Sequence, residues 1–251
     1  MTKTAPLAGI DLFDAHRLLL SEIPVPVPSP EHAEARDRVW DAAVRANPSL
    51  FDGPVVACAG VEWAEPHVLH LRWAPVTYRH YALRRVPGGR ALGSLFVNVI
   101  QPTVDGRVVV ARMSPSTAAP GRWQLPGGSV EPPKDSAPLD ETALAAQAAR
   151  ELSEELGIDV APDRLRLFAV TRGENTSVGV TYQSPTLPEA EVREAFAAVT
   201  AVERARGVEP ELDELALVRA PRELAGLVGP HADYLEPLVA RCAQPPAGLG
   251  G

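Results

Sequence analysis

Three glutamates, Glu151, Glu154 and Glu155, stand at i, i+3 and i+4 in a run of good helix formers. On a helix that spacing points all three carboxylates the same way. Like charges crowded on one turn repel. A hard divalent cation of the Mg²⁺ type removes that repulsion, because it takes oxygen ligands and keeps waters free for a phosphate. A charged helix face is by itself most often only solvated surface. The segment before it sets this one apart: Leu125-Pro126-Gly127-Gly128 signals a turn, with Val130 and Glu131 just beyond.

The element that must carry the glutamates runs up to Leu156. Asp140 or Ser136 can cap its start, and Pro132, Pro133 and Pro138 keep the preceding segment non-helical. Gly157 suits the left-handed position just past a helix end. At 100° per residue, Ala145, Ala148, Ala149, Leu152 and Leu156 share one side, and Gln147, Glu151, Glu154 and Glu155 the other.

The order Gly-Gly turn, helix, then Arg150-Glu151-Leu152-x-Glu154-Glu155-x-Gly157-Ile158 resembles the signature of the Nudix hydrolases, G-x5-E-x7-R-E-U-x-E-E-x-G-U. The second half of the pattern matches throughout. The first half matches at Gly127, Gly128 and Glu131. About eight extra residues separate Gly128 from Arg150, so the first glutamate of the box falls to Asp140 or Glu141. A branch of the family that cleaves UDP-glucose looks similar in having a long insertion here.

The resemblance implies a fold, an α/β (α+β) αβα sandwich with a mixed sheet, and a chemistry, hydrolysis of a pyrophosphate bond with Mg²⁺ or Mn²⁺. It implies Glu151, Glu154 and Glu155 as metal ligands with the Gly128 carbonyl, Arg150 as a brace between loop and helix, and Glu155 or Glu154 ahead of Glu174 as general base. Substrate contacts are expected outside the box. Thr171–Ser177, with Arg172 and Glu174, resembles a polar run of the UDP-glucose-cleaving branch, and Arg112 and Arg122 are further phosphate contacts. Trp63, Trp73 or Tyr78 would meet a base or sugar if they face the cleft.

The rest of the chain sets the frame. Its 251 residues, 45% hydrophobic and 22% charged, suffice for a large core. A net charge of −8 argues against a general nucleic-acid binder. Two cysteines, Cys58 and Cys242, exclude a disulfide scaffold, and no secretory or membrane-spanning apolar run is found, so a cytoplasmic protein is expected. A homodimer is one assembly the sequence allows.

Residues 1–90 read as an N-terminal extension lobe: a short amphipathic helix within Asp11–Glu22, an extended Ile23–Pro30, a helix Glu31–Ala46, and a hairpin of Val55–Trp63 with Val68–Trp73. Residues 91–243 read as the Nudix domain and 244–251 as a disordered tail. His67, His70 and His80 read as surface or strand residues rather than a zinc site. Two other functions compete with the hydrolase: a non-catalytic ligand sensor or scaffold on the same fold, and a prenyl diphosphate isomerase, which would need a reactive cysteine. The expected substrate is a small nucleotide, an NDP-sugar or close relative.

Overall fold

The computed structural model describes residues 9–134 and 137–244. Ser136, one of the two cap candidates, and the expected tail beyond Gln244 lie outside the described residues. In chain order the elements are β1 (Asp11–Phe13), β2 (Arg17–Glu22), α1 (Pro30–Ala46), β3 (Pro54–Glu65), β4 (Val68–Thr77), a 3₁₀ segment (Tyr78–Arg85), β5 (Gly93–Ile100), β6 (Val108–Met113), β7 (Trp123–Gln124), α2 (Glu141–Leu156), β8 (Arg166–Arg172), β9 (Val178–Gln183), α3 (Glu189–Ala205), β10 (Leu212–Val218), α4 (Pro221–Leu224) and α5 (Leu235–Cys242). The result is the expected mixed α/β sandwich.

Seven strands form one sheet in the order β1-β8-β9-β5-β3-β4-β2, and β10-β6-β7 form a second. The pairs β5/β9 and β2/β4 are parallel and the others antiparallel. β5 lies between two cores. Leu95, Val97 and Val99 pack in the core that includes α2, and Ile100 in the core that includes Trp123 and α5. A strand covered on both faces reads as a continuous apolar run, as Leu95–Ile100 does. Its polar exception is Asn98.

The expected helix within Asp11–Glu22 is instead β1, antiparallel to β8, and β2, parallel to β4. A run of three leucines fits either period. Sheet edges decide here: Leu18 turns into the core and Leu19 out to solvent. α1 forms as expected, its inner face centred on Trp40, which packs edge-on against Tyr78. The β3–β4 hairpin forms with longer strands than expected, turning at Pro66-His67. Among the described residues, no helix is long and apolar enough to cross a membrane.

Candidate active site

The Gly-Gly turn is laid along β5. Val99 N donates to Pro126 O (2.9 Å), Val97 N to Gly128 O (3.0 Å), and Val130 N to Leu95 O (3.0 Å). Val56 N of β3 then donates to Val130 O (2.7 Å). The turn therefore fills the gap between β5 and β3, which otherwise pair only at Ala57–Ser94 and Cys58–Gly93. Gly127 has φ +147°, and a Cβ there would lie 2.1 Å from Val97 O. Only glycine tolerates both.

α2 starts where expected. Asp140 caps it by accepting from Ala143 N (2.8 Å), and Gly157 closes it at φ +69°. The glutamate face is less exposed than the helical wheel suggests, because the turn packs onto it. Gln147 donates to Ser129 O (2.6 Å) and accepts from Glu131 N (3.1 Å). Glu155 is buried and accepts from Gly127 N (2.6 Å). Glu151 lies so close that a Cβ on Gly128 would sit 2.6 Å from its carboxylate. Glu154 stays outside, its side chain 63% exposed against 14% for Glu151. Arg150 spans loop and helix, reaching Glu131 (3.2 Å), Glu151 (3.5 Å) and Glu154 (3.8 Å).

Burial pushes the Glu155 carboxyl well above the usual carboxylate range, against the pull of the Gly127 amide. Nearby Glu151, Glu211 and Glu154 raise it further. Glu151 is raised by burial, with Arg150 opposing. Glu211 is raised by burial and then by Glu203 and Glu154. Glu211, just before β10, is thus a fourth carboxylate of the site that sequence reasoning missed. It arrives from about 56 residues further along the chain, through the pairing of Leu212 with Met113. An acidic stretch at a strand start carries no signal of its own.

Glu151 and Glu211 line a cleft of about 850 Å³, with Glu155 buried behind the Gly-Gly turn. Among the described residues, six carboxylates line it (Glu131, Glu151, Glu174, Glu209, Glu211 and Asp233) and two arginines, Arg84 and Arg122. Asn98 lies at its floor beside Gly127, buried, its amide reaching only toward the Tyr234 hydroxyl without a well-formed hydrogen bond. Desolvated carboxylates that raise one another, next to a buried and unsatisfied amide, fit a hard cation.

The Gly128 carbonyl accepts from Val97 N with one of its two lone pairs. Other expected residues go elsewhere. Neither candidate for the first box glutamate approaches Glu151: Asp140 is the helix cap, and Glu141 accepts from Leu18 N (3.0 Å), ten residues or about 15 Å along the helix from Glu151.

Arg172 is absent from the cleft lining. Both its Nε (3.0 Å) and a terminal nitrogen bind Asp11, and it lies over the Phe13 ring. Arg112 is likewise absent, held by Asp213 and Glu214 above Trp123. Arg122 and Glu174 do line it, with Asn175 and Ser177, so the 171–177 run reaches the cleft through its turn rather than its arginine. Asn175 and Thr176 both hold positive φ, 54° and 56°, a costly conformation for non-glycine residues.

Tyr78 lines the cleft, whereas Trp73 is in the core and Trp63 packs on Phe13. Burial raises the Cys58 thiol to about 11 and that of Cys242 to about 12, and neither lines the cleft, which removes the isomerase reading. Asp14, His16 and His67 bring donors within 4.8 Å of one another, away from the cleft. Their two rings stack nearly parallel (4.4 Å, 9°), so their in-plane lone pairs do not converge, and Asp14 is held by Arg241.

Fold and site together define an α/β protein with an acidic cleft beside a Gly-Gly turn. Residues 95–242 match the NUDIX domain profile, and the chain belongs to that family. It is therefore a hydrolase of pyrophosphate bonds in nucleoside diphosphate derivatives, of a family that uses divalent metal. The solved structures it is similar to include a MutT protein from Methanosarcina mazei (18% identity, 59% of this chain and 91% of that one, TM-score 0.38). Others are Nudix hydrolases from Alicyclobacillus acidocaldarius (18%, 59% and 89%, 0.36) and Nitrosomonas europaea (15%, 60% and 85%, 0.33). No curated protein matches the chain.

Proposed function

We propose that the protein cleaves a nucleoside diphosphate sugar, or a close relative, between its two phosphates, giving a nucleoside monophosphate and a sugar phosphate. The observation that carries this is the charge of the cleft. With six carboxylates and two arginines along its walls, a diphosphate enters only together with cations.

Glu151 and Glu155 would hold Mg²⁺ or Mn²⁺ with the Gly128 carbonyl, and Glu154 from outside. When bound, such an ion neutralises phosphate oxygens and lowers the pKa of a water. The protein's own share is positional. Arg150 fixes Glu131 and Glu151, Gly127 N orients Glu155, and Glu211 and Glu174 stand in the cleft to accept a proton from the attacking water. Phe51, Tyr78 and Tyr81 also line the cleft and suit a ring-bearing substrate. The volume lies within the usual range for small-molecule sites.

The sugar-linked reading also draws on the long segment between Gly128 and Arg150 and on the 171–177 run, which resemble the UDP-glucose-cleaving branch. The test is a panel of NDP-sugars, ADP-ribose, dinucleotides and nucleoside triphosphates with Mg²⁺ or Mn²⁺, read by release of the nucleoside monophosphate. The expected result is that NDP-sugars lead.

A further inference from the structure

We propose that Arg84 is a second phosphate-binding group of the cleft, gripping the phosphoryl group of the substrate that lies away from the glutamates. The proposal rests on the diphosphate reading of the cleft, and it assigns substrate recognition to a residue outside the family-matched stretch 95–242.

Of the arginines around the site, Arg150 is committed to Glu131, Glu151 and Glu154, and Arg122 stands 4.0 Å from Asp233. Among the described residues Arg84 has no carboxylate partner. The titratable groups that act on it are Tyr81 and Tyr78, both held un-ionised by burial. In a cleft otherwise crowded with acids, this cation lacks a counter-charge, and a guanidinium presents a bidentate fork to phosphate.

Two contacts place it, the first a terminal nitrogen that donates to Leu92 O at 3.5 Å. The guanidinium carbon lies 4.4 Å from the centre of the Tyr81 ring. The Tyr81 hydroxyl donates to Val56 O (3.3 Å), and Tyr78 packs edge-on against the same ring (5.6 Å, 89°). Val56 N donates to Val130 O, two residues of extended backbone, or about 7 Å, from Gly128. Tyr81 is thereby tied to β3, which hydrogen-bonds to the segment just past the Gly-Gly turn. Glutamates and Arg84 so face one cleft from two walls joined by hydrogen-bonded backbone, an arrangement that suits a diphosphate with one phosphate at each wall.

The probe is inorganic pyrophosphate with Mg²⁺, titrated by calorimetry into the full chain and into Arg84→Ala and Arg84→Lys. At least tenfold weaker pyrophosphate binding is expected in Arg84→Ala, with partial recovery in Arg84→Lys and with Mg²⁺ affinity and melting temperature unchanged. On a sugar substrate the loss should appear in KM more than in kcat. Pyrophosphate affinity within twofold of wild type in Arg84→Ala overturns the proposal. So does a loss that follows a fallen melting temperature in both Arg84→Ala and Arg84→Gln. If Arg84→Ala loses pyrophosphate but the wild type turns over no NDP-sugar, the Arg84 site stands and the sugar reading fails.

Discussion

Glu155 is buried, pressed by other carboxylates, and offset by the Gly127 amide rather than by a cationic side chain. Replacing it or Glu151 by Gln should cut turnover by about 10²-fold or more, because the developing phosphate charge loses its clamp. Without metal Glu155 also makes stability depend on pH. Burial raises the Glu155 pKa above its unfolded value near 4.3. The folded chain therefore keeps a proton that the unfolded chain releases. That contribution is complete below the unfolded pKa and is lost as pH rises through the folded one. In EDTA the protein should melt higher at pH 5 than at pH 8. Glu155→Gln should lessen that slope and raise the melting temperature at pH 8, by about 2–4 °C for each kcal/mol recovered. Equal slopes in variant and wild type would refute it. Glu211→Gln should lower kcat while Mg²⁺ binding weakens far less. A kcat equal to wild type would remove Glu211 from the chemistry.

α2 was legible almost residue by residue, because its cap, its small-residue face and its closing glycine are all local signals. What covers its polar face was not. Wheel geometry separates two sides of a helix but does not reveal that a glycine turn packs on one of them, which is why Gln147 and Glu155 are buried. The same limit applied to Arg172, whose fate depends on Asp11, 161 residues away, in a strand that local pattern read as helix. Glu141 gives the corresponding prediction for this element. It binds Leu18 N, away from the glutamates, so Glu141→Gln should leave kcat and the metal requirement unchanged and lower only stability, by about 1 kcal/mol. A large fall in kcat would return Glu141 to the role of first box glutamate.

Across the whole molecule, the sequence suggested a catalytic stretch and a lobe in front of it, and the long-range pairing shows how closely they are joined. β1 extends the sheet next to β8, β3 borders β5, and the Gly-Gly turn hydrogen-bonds to both β5 and β3. Sequence patterns mark strands but not their partners, so this was out of reach. A chain beginning at residue 91 loses β1–β4 and the Tyr78–Arg85 segment, leaving β5 and the turn without their neighbour. We expect it to be insoluble or to lack a cooperative melt. A cooperative melt matching the full chain would show that the two parts stand apart. The measurement that bears most directly on the cleft is product analysis by ³¹P NMR of an NDP-sugar panel with Mg²⁺, run on wild type, on Glu155→Gln and in EDTA. The predicted result is a nucleoside monophosphate and a sugar phosphate in equal amounts from wild type, and neither with Glu155→Gln or in EDTA. Full activity in EDTA, or turnover of nucleoside triphosphates or dinucleoside polyphosphates with none of any NDP-sugar, would contradict it.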